Sequence, residues 1–152
     1  MSIYIIYNIN RYMNLIFSYF FTILYILTIE FTWLYLINKK TYSLLTKNIQ
    51  KTPMIINYYY TAIAYVIILF SVFTLSIPFI KSKIKKNDNL YQIIYKSLLY
   101  GSLVGFYIYG IYNFTSISIY KNYDLTIAIT DTLWGMFLYS TSSLLFIYLS
   151  LI

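Results

Sequence analysis

The stretch T130-D-T-L-W-G-M-F-L-Y-S-T-S-S-L-L-F-I-Y-L-S-L-I152 carries a single charge, Asp131, at the head of a run long enough to cross a bilayer. A helix needs about 20 mostly apolar residues to span the hydrocarbon, and this run supplies them. An acid at that depth costs several kcal/mol, on the order of 2.5 to 3.5 in insertion measurements, unless it is protonated, paired or solvated. The stretch therefore implies a membrane helix that carries one expensive polar group, and the rest of the chain can be searched for whatever meets it.

The whole chain has the same character. Of 152 residues, 61% are hydrophobic, 22% aromatic and only 10% charged, where a soluble domain has about a quarter of its residues charged. The apolar residues fall in long runs and not in amphipathic stripes, so they suit a bilayer and not a globular core. Four runs have spanning length, at residues 13–37, 58–80, 97–120 and 125–151. They predict an all-α fold, a four-helix membrane bundle of antiparallel up-down order in one domain of residues 1–152. The N-terminal run has no basic segment leading to a small-residue cleavage site, so it reads as a retained span.

The connections are polar. Residues 40–52 suggest a short interfacial helix stopped by Pro53, since a residue before proline disfavours helical backbone. The segment KSKIKKNDNLYQ reads as a basic surface loop, and KNYD at 121–124 is so short that the last two helices must form an antiparallel hairpin. Pro78 reads as a helix terminus. The net charge of +7 resides in these loops, where bilayer topology and anionic headgroups account for it better than nucleic acid. Six basic residues (Arg11, Lys81, Lys83, Lys85, Lys86, Lys96) on one face against five (Lys39, Lys40, Lys47, Lys51, Lys121) on the other lean only slightly toward cytoplasmic termini.

The chain has neither Cys nor His. That removes thiolate chemistry, imidazole metal sites and any Ser-His-acid triad. No cofactor, metal or catalytic residue is indicated. The 21 tyrosines, with abundant Ile, Asn and Lys, match AT-rich coding and weaken arguments from any single tyrosine.

The strongest polar groups of the spans converge in depth. Glu30 lies seven residues before the end of the first run, Asp131 six after the start of the fourth and Asn113 seven before Tyr120. At 1.5 Å per residue, all three sit roughly 9 to 10 Å below one face. Each acid is followed three residues later by a tryptophan, Trp33 and Trp134, on the same helical face. Thr61 and Tyr65 of the second run reach a similar depth. Gly101 and Gly105, with Gly110 and Gly135, mark expected helix-packing positions, because small residues let backbones approach closely in lipid.

These residues carry a family resemblance. The strings LLYGSLVGFYIYGIYNFTSISI and DTLWGMFL, with EFTWLYL in the first span, resemble the DUF2177 family of predicted membrane proteins. That family has a G-x-x-x-G segment leading into Y-G-x-Y-D-x-T-N, and then D-x-x-W-G at the head of the fourth span. Tyr109, Gly110, Tyr112 and Thr115 match the first motif, and Asp131, Trp134 and Gly135 the second. Tyr42 stands where a loop tyrosine is expected. Asn113 replaces the family's Asp, Ser116 its Asn, and Glu30 its usual first-span Asp. The resemblance implies four spans and a site at these positions, in a family of bacteria and large DNA viruses, and no activity. The AT-rich composition would suit a virus.

Three functions fit. The favoured one is an intramembrane site at Glu30 and Asp131, with Asn113, Trp33, Trp134, Tyr109, Tyr112 and Thr115 around it, that binds or moves a cation, proton or small polar solute. Two carboxylates close together in a low dielectric cannot both ionise cheaply, so the pair is suited to exchanging protons. Translocation through so thin a bundle would call for a homo-oligomer. The alternatives are a lipid-directed intramembrane enzyme, drawing anionic lipid with Lys39, Lys40 and Lys121, and a non-catalytic membrane or envelope assembly protein using the glycine face. The expected location is an integral membrane position, in a host or viral membrane if the protein is viral and otherwise in the cell membrane, with lipids as partners.

Overall fold

The computed structural model describes residues 2–151, with side chains from Tyr12 onward. The chain is all-helical over these residues, with six α-helices: α1 Ser2–Phe31, α2 Lys39–Gln50, α3 Tyr58–Ser71, α4 Ile77–Lys83, α5 Leu90–Ile119 and α6 Leu125–Leu151. A π-helical turn, Thr32–Ile37, continues α1, and a second, Val72–Ser76, joins α3 to α4. Among the described residues, three helical stretches are long and apolar enough to cross a membrane: Tyr12–Ile37, Tyr58–Lys83 and Leu125–Leu151. The 30-residue α5 is long enough, but its tyrosines, serines and Asn113 dilute its apolar character.

Local chemistry sets the boundaries. Helix α5 begins at Leu90, seven residues earlier than the apolar run suggests, because Asn89 and Gln92 form a reciprocal capping box with both bonds at 2.9 Å. The supposed loop KSKIKKNDNLYQ is therefore helical at both ends. Helix α2 stops at Gln50, ahead of Pro53, where Lys51 takes a left-handed conformation at φ 62°. Asn57 caps α3, its side chain accepting from the Tyr59 and Tyr60 amides. Pro78 does not end its helix. It lacks an N–H, and the preceding π turn, closed by Ile77 N–H to the Val72 carbonyl, carries the backbone past it into α4.

The α5–α6 pair forms the centre. A Cβ at Gly101 would lie 2.7 Å from the Ser140 Cα, and one at Gly105 would strike the Gly135 backbone. Gly135 in turn faces the Tyr109 ring. Partner numbers rise along one helix as they fall along the other, so the two helices run antiparallel. Gly110 departs from expectation: a Cβ there would meet only ordinary contacts at 3.7 Å, so it is not a close-approach position.

Much of the interior is polar, and the exterior is apolar. Ser18, Thr22, Ser76, Ser97, Asn113, Ser142 and Ser143 are fully buried, while Ile16, Phe20, Ile67, Phe70 and Ile111 are each more than half exposed. A soluble protein shows the reverse. The apolar core proper gathers Ile26, Val72, Ile80, Leu138, Tyr139 and Phe146 between α1, the second π turn, α4 and α6.

Candidate functional site

Glu30, Asp131 and Asn113 are all buried, at 3%, 8% and 0% exposure. Glu30 occupies the last turn of α1 before its π turn, Asp131 the second turn of α6, and Asn113 the inner face of α5. The two acids share no direct bond. Helix α5 links them. The Asn113 amide donates to Asp131 Oδ2 at 2.7 Å and to the Tyr109 carbonyl at 2.9 Å. The Tyr109 hydroxyl then donates to Glu30 Oε1 at 3.1 Å.

The tryptophans complete the link. The Trp134 indole N–H donates to the same Glu30 oxygen at 2.8 Å. Its ring stacks on that of Trp33, 4.4 Å between centroids and 2° from parallel. One residue of α6 thus holds the carboxylate and the aromatic partner of α1 together.

Two tyrosines outside the long helices close the site from above. Tyr42 of α2 donates to Asp131 Oδ1 at 2.5 Å, and Tyr123 of the 120–124 turn donates to Asn113 Oδ1 at 2.9 Å. Burial, then the neighbouring Asp131 charge and the bond to it, pushes the Tyr42 phenol far above its ordinary range. Burial first, then Tyr112 and Asp131, pushes Tyr123 up to about 12. Tyr42 therefore stays a proton donor throughout the physiological range. Asn122 also bonds the Asn48 carbonyl at 3.2 Å, which ties α2 to the turn. A cleft of about 310 Å³, lined by Tyr42, Thr46, Gln50, Tyr112, Tyr120 and Tyr123, adjoins this roof.

Not every expected residue joins. Tyr112 is 63% exposed and lines the cleft instead of touching the acids. Thr115 is exposed on the outer face of α5, two residues past the inward-facing Asn113. Thr61 bonds the carbonyl of Asn57, the cap of its own helix, and the Tyr65 hydroxyl is buried without a partner among the described residues. Tyr42 and Tyr123 join the site beyond the residues that the sequence pattern marks. Tyr42 had a signal in its family position, whereas Tyr123 had none beyond its place in a tight turn.

Two further donors go unused. The Trp33 indole N–H and the Asn38 amide nitrogen are buried without a hydrogen-bond partner among the described residues. Trp33 lies within the π turn and Asn38 ends it, its N–H closing onto the Trp33 carbonyl at 2.9 Å. π turns frequently mark functional positions because they re-aim side chains. Among the described residues no group of three or more His, Cys, Asp or Glu could hold a metal ion.

With this geometry in place, comparison with known proteins is informative. The model of the predicted membrane protein family DUF2177 matches residues 15–148. The chain belongs to that family. The match takes in Glu30, Tyr42, Asn113 and Asp131 together, and so covers the whole site. No curated protein and no solved structure matches the chain. This DUF2177 member is accordingly a membrane protein with helices long and apolar enough to cross a membrane.

Proposed function

We propose that this protein is a single-domain, four-helix antiparallel membrane bundle in which α5 also spans, and that Glu30 and Asp131 form an intramembrane site exchanging a proton or cation. One observation carries the reading. Each buried carboxylate receives two hydrogen bonds from neutral donors, Trp134 and Tyr109 on Glu30, Tyr42 and Asn113 on Asp131. Neither is paired with a basic residue among those described, where the one ion pair is Lys96 with Asp88. Neutral donors orient a carboxylate but do not cancel its charge, and an uncompensated charge at membrane depth is costly. Neutralisation therefore comes from outside the chain, as a proton or a bound cation.

Two carboxylates and one amide are few ligands for a dehydrated divalent cation, which takes six or more oxygens. Protons and monovalent cations fit better. The Tyr42 and Tyr123 roof and its cleft supply an approach from one face, and the unused donors at Trp33 and Asn38 suit an oxygen carried by water or a small polar solute. Membrane lipids surround the bundle in this reading, and translocation would add further copies of the chain. The glycine face is taken up by α6 within one chain, which argues against an assembly role through Gly101 and Gly105.

The test is infrared difference spectroscopy of the protein in lipid, in which a protonated carboxyl gives its own band. Wild type should show such a band that changes with pH or on adding a monovalent cation, and Glu30→Gln with Asp131→Asn should abolish it. A spectrum indifferent to pH and cations, or unchanged in the double variant, removes the exchange reading.

A further inference from the structure

A second polar layer lies deeper in the bundle, where neither motif nor charge draws attention. Ser142 is eleven residues beyond Asp131 on α6, about 16 Å further along the axis at 1.5 Å per residue. The packing of Tyr19 on Phe146 and the bond from Trp134 to Glu30 fix α1 against α6 and set Thr22 level with Ser142 and Ser143. The approach of Gly101 to Ser140 sets Ser97, one turn earlier on α5, level with Ser143. Ser76, at the end of the second π turn, bonds Ser143 directly, Oγ to Oγ at 2.7 Å. Five hydroxyls, from α1, the α3–α4 connection, α5 and α6, thus share one depth.

All five are fully buried, each with 0% exposure. Three of them, on Thr22, Ser97 and Ser142, have no hydrogen-bond partner among the described residues. That is unusual for a helical hydroxyl, which can bond back to a carbonyl three or four residues earlier. Ser18, Thr132 and Ser140 do so here, at 2.7, 2.7 and 3.0 Å. An unpaired buried hydroxyl costs about 1 to 3 kcal/mol, and three at one level call for a shared partner.

We propose that this layer is a second binding site and that its ligand is water. The chemistry selects the occupant. No acidic side chain lies at this depth, since Glu30 and Asp131 belong to the other layer and Asp88 and Asp124 to the connections, and Lys96, beside Ser97 on α5, is paired with Asp88. A set of neutral hydroxyls that both donate and accept suits a neutral molecule that does the same, and a buried water needs two to four such partners. Apolar residues bound the layer, with Ile26 and Leu138 toward the acids and Ile80 and Phe146 toward the Lys81 end.

Tyr139, between the two levels, bonds the Ser71 hydroxyl and sets its ring against Tyr109, whose own hydroxyl reaches Glu30.

The experiment is water-edited solid-state NMR of the isotopically labelled protein in lipid bilayers. Magnetisation from water should reach Thr22, Ser97 and Ser142 at least twofold faster than Ile26 and Leu138 beside them. Transfer as slow as at Ile26 overturns the proposal. A companion measurement uses Ser97→Ala and the Thr22→Val, Ser142→Ala pair. Loss of a water-bonding hydroxyl should lower Tm by about 2 to 4 °C per site. A raised Tm would mean that the hydroxyls were unsatisfied and unliganded, and it also overturns the proposal. Water transfer to the layer should persist in Glu30→Gln with Asp131→Asn, so failure of the acid-site reading and failure of this one are separate results.

Discussion

The Tyr42 hydroxyl lies 2.5 Å from Asp131 Oδ1, joining residues 89 positions apart and binding a short helix outside the spans to the acid within one. Because burial and the carboxylate keep this phenol protonated, the contact is a lasting donor bond and not a titrating one. Asp131 is thus held from above by α2 and from the side by Asn113, which fixes its position whatever it binds.

Tyr42→Phe tests that contact. Hydrogen bonds to charged groups contribute about 1.5 to 3 kcal/mol, and the variant should lose stability on that order in detergent unfolding. Tyr112→Phe, on a side chain 63% exposed, should change stability by less than about 0.5 kcal/mol. Equal effects at the two positions would contradict the geometry.

The stacked tryptophans predict a coupling. A double-mutant cycle on Trp33→Leu and Trp134→Leu should return an interaction of about 0.5 to 1.5 kcal/mol beyond the separate losses. Trp134→Phe should cost more than Trp33→Phe, since only the Trp134 N–H serves Glu30. Unfolding midpoints of the four proteins in a denaturant series give the answer.

The glycines predict an asymmetry. Gly105→Ala places a methyl against the Gly135 backbone and must push α5 from α6. Overpacking of this kind costs about 1 to 3 kcal/mol. Gly110→Ala has only ordinary contacts to meet and should be neutral or slightly stabilising, because alanine favours helix over glycine by about 1 kcal/mol. Thermal unfolding of both variants distinguishes a packing glycine from a tolerated one.

The Asp88–Lys96 pair, at 2.5 Å outside the membrane-crossing stretches, predicts a pH dependence. The hydrogen bond from Lys96 comes first among the causes that hold the Asp88 carboxyl below its ordinary value of 3.8, followed by the Lys85 backbone N–H. A depressed carboxylate stabilises the fold above its unfolded pKa, and that contribution is lost as pH falls through the folded one. Asp88→Asn should therefore melt below wild type at neutral pH, and the gap should close only in acid below 3.8. A gap that widened on acidification would reverse the sign.

The residue order alone was enough for the membrane class, the positions of the apolar runs and the depth at which Glu30, Asn113 and Asp131 meet, while two helices, α1 and α5, begin seven or more residues ahead of their apolar runs. These properties accumulate along one dimension: apolar length sets a span, and a fixed rise per residue turns position into depth. Only the tertiary structure decided which groups touch at a given depth, because that depends on how each helix is rotated about its axis. The π turn after Glu30 changes that rotation without leaving a mark in the residue pattern, and it sets the Trp33 ring flat on Trp134. Tyr42 and Tyr123 lay among many tyrosines and gained meaning only when α2 folded back over the hairpin turn. The buried serines were the least legible of all. A helical hydroxyl can satisfy itself on its own backbone, so nothing in the order of residues distinguishes Ser97, which does not, from Ser102, which does.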